Sequence, residues 1–219
     1  MLFIKIRTAI SLGMINLARV LIYRIGLKFG FNPVKTISAK IEKDFFFDGS
    51  RLNSKVRLPF NTDWLQQQKY FGWKVISSKD IPIWYKNVLT QKNVRTPFLS
   101  WWSIPDFDPE LGDIKGVWEA SRFDWVLCFA QQAATGDKQA IDKLNKWLSN
   151  WIENNKPYQG VNWKCGQEAS IRIMHLAMAS LILKNYFNTQ ISLLSLVKAH
   201  LQRIEPTISY AMAQDNNHG

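Results

Sequence analysis

Charged residues interrupt two otherwise apolar, tryptophan-rich segments in the second half of the chain. Glu168, Arg172 and His175 lie four and three residues apart in "EASIRIMHLAMASLIL". This spacing places all three on one face of a helix. Glu119 and Arg122 lie three residues apart in "WEASRFDW", so they also share a helical face.

Two interpretations of these charges stay open. A buried charge is costly unless it is paired, and the structural interpretation therefore pairs Glu168 with Arg172, one helical turn away. His175 is then a hydrogen-bonded histidine of the core. In the functional interpretation, the shared face lines a polar cleft in the middle of a helical array.

The two charged segments also resemble each other. Each contains Glu-Ala-Ser with an arginine directly after it or one residue later, and Glu119 and Glu168 are 49 residues apart. That distance equals a helix pair with its turns. Repeated helical hairpins are typical of solenoids and closed toroids, although two copies this short also arise by chance.

Apolar periodicity predicts helices from residue 114 onward. The first contains Trp118 and Trp125, and "TGD" at residues 135–137 predicts a turn after it. An apolar stripe predicts the next helix, which Pro157 ends. Further helices are predicted at 166–183, at 191–204, and from Pro206 to about 213. The helix at 166–183 is apolar on nearly every side, which is typical of an enclosed helix.

The first half has a different character. Residues 30–112 contain six of the eight prolines and predict irregular structure, with short extended runs at 44–48 and 74–76 and a long ordered loop at 96–113. Residues 1–30 are apolar but interrupted by Lys and Arg, and they predict a basic amphipathic helix that packs on the protein or lies on a membrane surface. The predicted divisions are 1–30, 31–113 and 114–219.

Composition narrows the function classes. The net charge is +11, and residues 1–100 hold 17 Lys and Arg against 5 Asp and Glu. A basic surface attracts nucleic acid, anionic lipid or acidic polysaccharide, but no nucleic-acid-binding motif is present. Cys128 and Cys165 lack metal-site spacing and predict two buried thiols. The ten tryptophans indicate core packing, with a sugar-binding platform as the alternative.

Residues 111–219 resemble the heparinase II/III family of polysaccharide lyases. The segments "GVWEASRFDWVLCFAQQAATGD", "WLSNWIENNKPYQGVNWKCGQEASIRIMHLAMA" and "NNHG" follow one another in the family's order. The resemblance implies an all-α fold here, an incomplete (α/α) toroid of antiparallel helix pairs preceded by an irregular, loop-rich region. In the family a β-sandwich domain follows the toroid. The resemblance implies no cofactor, and it places any metal outside this region.

The resemblance also implies a reaction and a site. The family cleaves uronic-acid polysaccharides by β-elimination, and its Asn-His pair falls on Asn217 and His218. A neutral amide stabilises the charge that develops on the uronate carboxylate, and a histidine removes the C5 proton. The family's tyrosine and second histidine have no counterpart, so we expect the chain to be an inactive piece of a longer enzyme. The residues expected to line one concave, substrate-binding surface are Glu119, Arg122, Trp163, Glu168 and Arg172.

Two alternatives and a location accompany this expectation. The first alternative is a non-catalytic carbohydrate-binding or cell-surface polysaccharide assembly protein of the same fold. The second, a basic helical nucleic-acid-binding protein, is disfavoured because the basic residues are scattered over a loop-rich half and not along one helix. The expected location is the periplasm or cell envelope, with the cytoplasm as the alternative.

Overall fold

The computed structural model describes residues 2–49, 63–105 and 107–213. The protein is mostly helical. Its helices, numbered α1 to α8, are Leu2–Phe29, Asp63–Gln66, Lys115–Trp118, Asp124–Ala134, Lys138–Asn154, Gly166–Ile182, Ile191–Ile204 and Ile208–Ala213. Its strands, β1 to β4, are Gln68–Tyr70, Lys74–Ile76, Phe107–Asp108 and Gly112–Asp113. They form two antiparallel hairpins, β1 with β2 and β3 with β4.

Residues 114–213 contain no strand, and the helices predicted after residue 137 are present. The first predicted helix is broken: α3 ends at Trp118, Glu119–Ser121 forms a 3-10 turn, and α4 begins only at Asp124. α4 packs against α5 and α6, and α6 also packs against α7. Only residues 135–137 separate α4 from α5, and so short a connection makes the two helices antiparallel. Asp137 caps α5 because its side chain accepts hydrogen bonds from the backbone N–H groups of Gln139 and Ala140 at 2.9 and 3.3 Å.

The described residues of the predicted loop at 96–113 are held against the helices. The N–H of Gly160 donates to the carbonyl of Leu99 at 2.7 Å. Gly160 has φ 79°, and a Cβ there would lie 2.3 Å from the Pro97 carbonyl oxygen. This close approach requires glycine. The loop contains the β3–β4 hairpin and a 3-10 turn at Trp101–Ser103.

Tryptophans fill the core, as their number predicted. Those that are buried are Trp64, Trp84, Trp101, Trp118, Trp125, Trp147, Trp151 and Trp163. Trp125 and Trp147 lie 5.3 Å apart between ring centroids, on α4 and α5. The main cluster also includes Val34 and Phe46, so the loop-rich first half contributes to the same core as the helices.

Three expectations are wrong in detail. α6 is not enclosed, because Met174, Met178 and Leu181 form an exposed apolar side. Cys165 is partly exposed, while Cys128 is buried as expected. Residues 44–48 form no strand, since the backbone of this run bonds to side chains: Asn145 Oδ1 accepts from the N–H of Phe46 at 2.7 Å.

The N-terminal helix α1 lies against α8. Tyr23 stacks on Tyr210 with ring centroids 4.1 Å apart. Gly13, with φ 76° and ψ 158°, breaks the helical geometry within α1. Within the described residues, none of the helices combines the length and the apolar character needed to cross a bilayer.

Candidate functional site

Two charged segments that are distant in sequence meet at one arginine. Arg122 Nε and Nη2 donate to the two carboxylate oxygens of Glu168 at 2.9 and 2.8 Å. Arg122 Nη1 donates to Glu119 Oε2 at 2.6 Å. The guanidinium therefore makes a bidentate contact with one carboxylate and a single contact with the other, which is the strong geometry for such pairs.

Both carboxylates of this cluster are buried. The exposed fractions of the Glu119 and Glu168 side chains are 6% and 4%, against 26% for Arg122. Glu119 Oε1 also accepts from the N–H of Phe71 at 2.5 Å, which connects the turn after β1 to the cluster. Burial raises the pKa of Glu119, and the Phe71 N–H and Arg122 oppose that rise. Glu168 raises the pKa of Arg122.

Local backbone geometry explains how Arg122 reaches both partners. Glu119–Ser121 forms a 3-10 turn, and Phe123 follows Arg122 in the left-handed region with φ 71° before α4 begins. A non-glycine residue rarely adopts this conformation. Packing over-determines it here, because the buried Phe123 ring contacts Trp125 and Trp151 edge-on at 5.3 and 5.0 Å.

His175 and Asp124 extend the cluster toward solvent. His175 Nδ1 lies 2.7 Å from the Arg122 carbonyl oxygen. Since a carbonyl only accepts, Nδ1 carries the proton, and a neutral His175 has its lone pair on Nε2. Asp124 Oδ1 lies 3.6 Å from His175 Nδ1. Burial raises the pKa of Asp124, and His175 opposes that rise.

A cleft of about 320 Å³ opens beside Asp124. It lies between α4 and the β1–β2 turn, and its lining residues are Trp64, Lys69, Gly72, Asp124, Leu127, Cys128 and Gln131. The cleft combines a carboxylate, an amide and a lysine with apolar side chains. Such a mixture suits a hydroxyl-rich ligand, whose hydroxyls bond to the polar groups.

Arg172 does not pair with Glu168, contrary to the structural interpretation of the sequence. It is fully buried and donates from Nε to His200 Nε2 at 2.8 Å and from Nη2 to the Asn162 carbonyl at 2.7 Å. Its guanidinium lies 5.3 Å from the ring centroid of Trp151. Burial lowers the pKa of Arg172 to about 10.

His200 is the buried acceptor of this inner network. Its Nδ1 lies 2.8 Å from the Leu196 carbonyl oxygen, so Nδ1 carries the proton and Nε2 accepts from Arg172. Burial and the charge of Arg172 hold the pKa of His200 well below its usual value. The sequence reasoning missed His200; the available signal was a lone histidine on the apolar side of α7, in register with Leu193 and Leu196.

A second buried arginine was also missed. Arg203 Nε donates to the Trp163 carbonyl at 2.7 Å, Nη1 donates to Thr207 Oγ1 at 3.1 Å, and its guanidinium lies 3.4 Å from the ring centroid of Trp101. Among the described residues, no carboxylate forms an ion pair with Arg172 or Arg203. Carbonyl groups and aromatic faces stabilise both cations instead.

The structure thus divides the five residues expected on one concave surface. Glu119, Arg122 and Glu168 form the ion-pair cluster, whereas Trp163 and Arg172 are fully buried in the adjacent aromatic core. The role of these five residues in substrate binding stays a prediction. Asn217 and His218 lie outside the described residues. Within the part of the chain that the structure describes, no group of three His, Cys, Asp or Glu side chains is placed to hold a metal ion.

Comparisons of the chain with protein-family models, with curated proteins and with solved structures find no match. The side chains around Arg122 and the neighbouring cleft are therefore the basis for assigning a function. The cluster offers two carboxylates and one guanidinium, with the His175 imidazole beside them.

Proposed function

We propose that this chain is the helical part of a protein that binds a uronic-acid-containing polysaccharide and cleaves it by β-elimination. The carrying observation is that Glu119 and Glu168, which occupy equivalent places in two similar segments, bind the same guanidinium of Arg122. In this proposal the helix pairs belong to an incomplete (α/α) toroid, and the repeated segments are its successive hairpins.

The ion-pair cluster has a positioning role in this proposal. Two carboxylates outweigh the one guanidinium, so Arg122 is poorly placed to neutralise an anionic sugar. Its part is to hold the starts of α4 and α6 together beside the cleft. Asp124 and Lys69 both line the cleft. The Asp124 carboxylate binds sugar hydroxyls, and the Lys69 ammonium binds the uronate carboxylate.

The chemistry of elimination falls to residues beyond this cluster. Asn217 donates a hydrogen bond to the uronate carboxylate, and His218 removes the C5 proton. The electrons of the broken C5–H bond form the C4–C5 double bond, and the C4–O bond to the leaving sugar breaks. A general acid must then protonate the leaving oxygen, and we assign no residue of this chain to that step. We therefore expect the chain alone to bind without turnover.

A specific observation favours a second candidate, a non-catalytic carbohydrate-binding or polysaccharide assembly protein. Trp163 and Arg172, which were expected to bind substrate from their places in the repeated segments, are fully buried. A binding protein needs only the cleft and not a complete set of catalytic groups. Both candidates predict polysaccharide binding. Only the first predicts that a longer protein with a catalytic tyrosine turns over substrate.

Affinity electrophoresis of the purified chain in gels containing alginate, heparan sulfate or neutral dextran tests binding. We expect retardation by at least one uronate polymer and none by dextran. Lys69→Gln should weaken retardation, since Lys69 lines the cleft. The matched control Lys138→Gln, at an exposed residue at the start of α5, should not.

Absorbance of the unsaturated uronate product on the same polymers separates the two candidates. A longer protein that contains the catalytic tyrosine should produce this absorbance, while the 219-residue chain should not. Turnover by the chain alone contradicts the assignment of the general acid outside it. Absence of retardation by every uronate polymer rejects both candidates.

A further inference from the structure

The outward face of α1 is an apolar strip. Seven large apolar side chains that follow the break at Gly13 are exposed. Leu17 lies at the edge of the strip, and the other six form it, namely Met14, Ile15, Leu21, Ile22, Ile25 and Phe29. At about 100° per residue they fall within an arc of about 120° on the helix surface. Tyr23 and Leu27 lie on the opposite side and pack against the protein core. The strip therefore faces away from the domain to which α1 is anchored.

Basic residues border this strip on both sides. Arg19 lies along one edge and Arg24 and Lys28 lie along the other, and all three are exposed. Residues 1–41 contain seven Lys and Arg and no Asp or Glu. Within residues 1–41 the sequence therefore offers no acidic side chain to balance this charge, and in the described part of the chain only Lys40 pairs with an acidic residue just beyond this range, Glu42.

The charge pattern distinguishes among occupants of the strip. A second copy of α1 would bring the same basic borders into contact, and like charges repel. An anionic bilayer instead offers phosphate groups to the basic borders and acyl chains to the apolar strip. Helices that lie in a membrane interface have this arrangement of an apolar face flanked by Lys and Arg.

We propose that α1 docks on the surface of a bilayer containing anionic lipids, with its axis in the membrane plane. Ile22 and Ile25 enter the acyl-chain boundary, and Arg19, Arg24 and Lys28 contact lipid phosphates. The helix stays anchored through the stacking of Tyr23 on Tyr210. This docking is independent of what the cleft beside α4 binds.

Flotation with phosphatidylcholine vesicles, with and without phosphatidylglycerol, measures this docking on the full chain. We expect binding that requires phosphatidylglycerol and weakens with added salt, because salt screens exposed charges. Ile22→Glu with Ile25→Glu should lower the partition coefficient by about tenfold or more, as each exposed apolar side chain contributes on that scale when buried. Changing Arg19, Arg24 and Lys28 to Gln should lower it by about a hundredfold.

The matched control is Ile191→Glu with Leu194→Glu, an equally spaced exposed pair on α7, which should bind vesicles as the unmodified chain does. Far-ultraviolet circular dichroism establishes whether each variant is folded. If the Ile22 and Ile25 variant does not fold, the glutamine variant, which changes only exposed side chains, still tests the proposal. Unchanged binding by a folded strip variant, or loss of binding in the α7 control, overturns the proposal. The proposal is also overturned if the unmodified chain forms a dimer in solution, does not bind vesicles, and becomes monomeric in the strip variant.

Discussion

Removing the guanidinium of Arg122 is expected to destabilise the fold strongly. Arg122→Ala deletes three charge-assisted hydrogen bonds and leaves Glu119 and Glu168 buried without their cation. Breaking a buried ion pair by removing one partner costs about 3–5 kcal/mol. For a chain of this length each kcal/mol corresponds to about 2–4 °C in melting temperature, so we expect a decrease of about 6–20 °C.

The loss should depend on pH with a definite sign. Burial raises the pKa of Glu119, so the folded state holds this proton at pH values where the unfolded chain has released it. The stability contributed in this way is present below the ordinary glutamate pKa and is lost as pH rises through the raised pKa. Arg122 opposes the rise, so its removal raises the pKa of Glu119 further. The difference between variant and unmodified chain should therefore be largest at neutral pH and shrink in acid.

Urea unfolding at several pH values, followed by tryptophan fluorescence, measures both effects. The control is Arg95→Ala, which removes an exposed ion pair with Glu110 and should cost about 0–1 kcal/mol. An Arg122→Ala variant as stable as the Arg95→Ala variant would show that the buried carboxylates do not need their cation. A deficit that grows in acid would contradict the electrostatic reasoning.

Three other predictions use the same chain. Burial lowers the pKa of His200, so its contribution to stability is present above the ordinary histidine pKa and is lost as pH falls below it. In a plot of the urea midpoint against pH, His200→Gln should therefore make the decrease in acid shallower, and an unchanged plot contradicts this. Gly160→Ala should lower the free energy of unfolding in urea by about 1–3 kcal/mol, because a Cβ there meets a backbone carbonyl. In Gly166→Ala the new Cβ makes only an ordinary contact, so this variant should be neutral or stabilising. A thiol reagent should label the partly exposed Cys165 in the folded protein and the buried Cys128 only after unfolding, and equal labelling rates would reject the packing of α4.

The sequence alone was sufficient for features that depend on neighbouring residues. Local spacing predicts the apolar periods of α5, α6 and α7 and the turn at 135–137, because each of these features depends on residues only a few positions apart. The burial of most tryptophans also follows from their apolar area, wherever in the fold they lie.

Only the tertiary structure decided where the distant charges pair. From the sequence, the one-turn spacing pairs Glu168 with Arg172. Aromatic rings and the acceptor nitrogen of His200 draw Arg172 into the core, so Glu168 binds Arg122 across 46 residues. The tertiary structure also determines the exposed face of α1. Both sides of this helix are apolar, and the contact with α8 distinguishes the packed side from the exposed one.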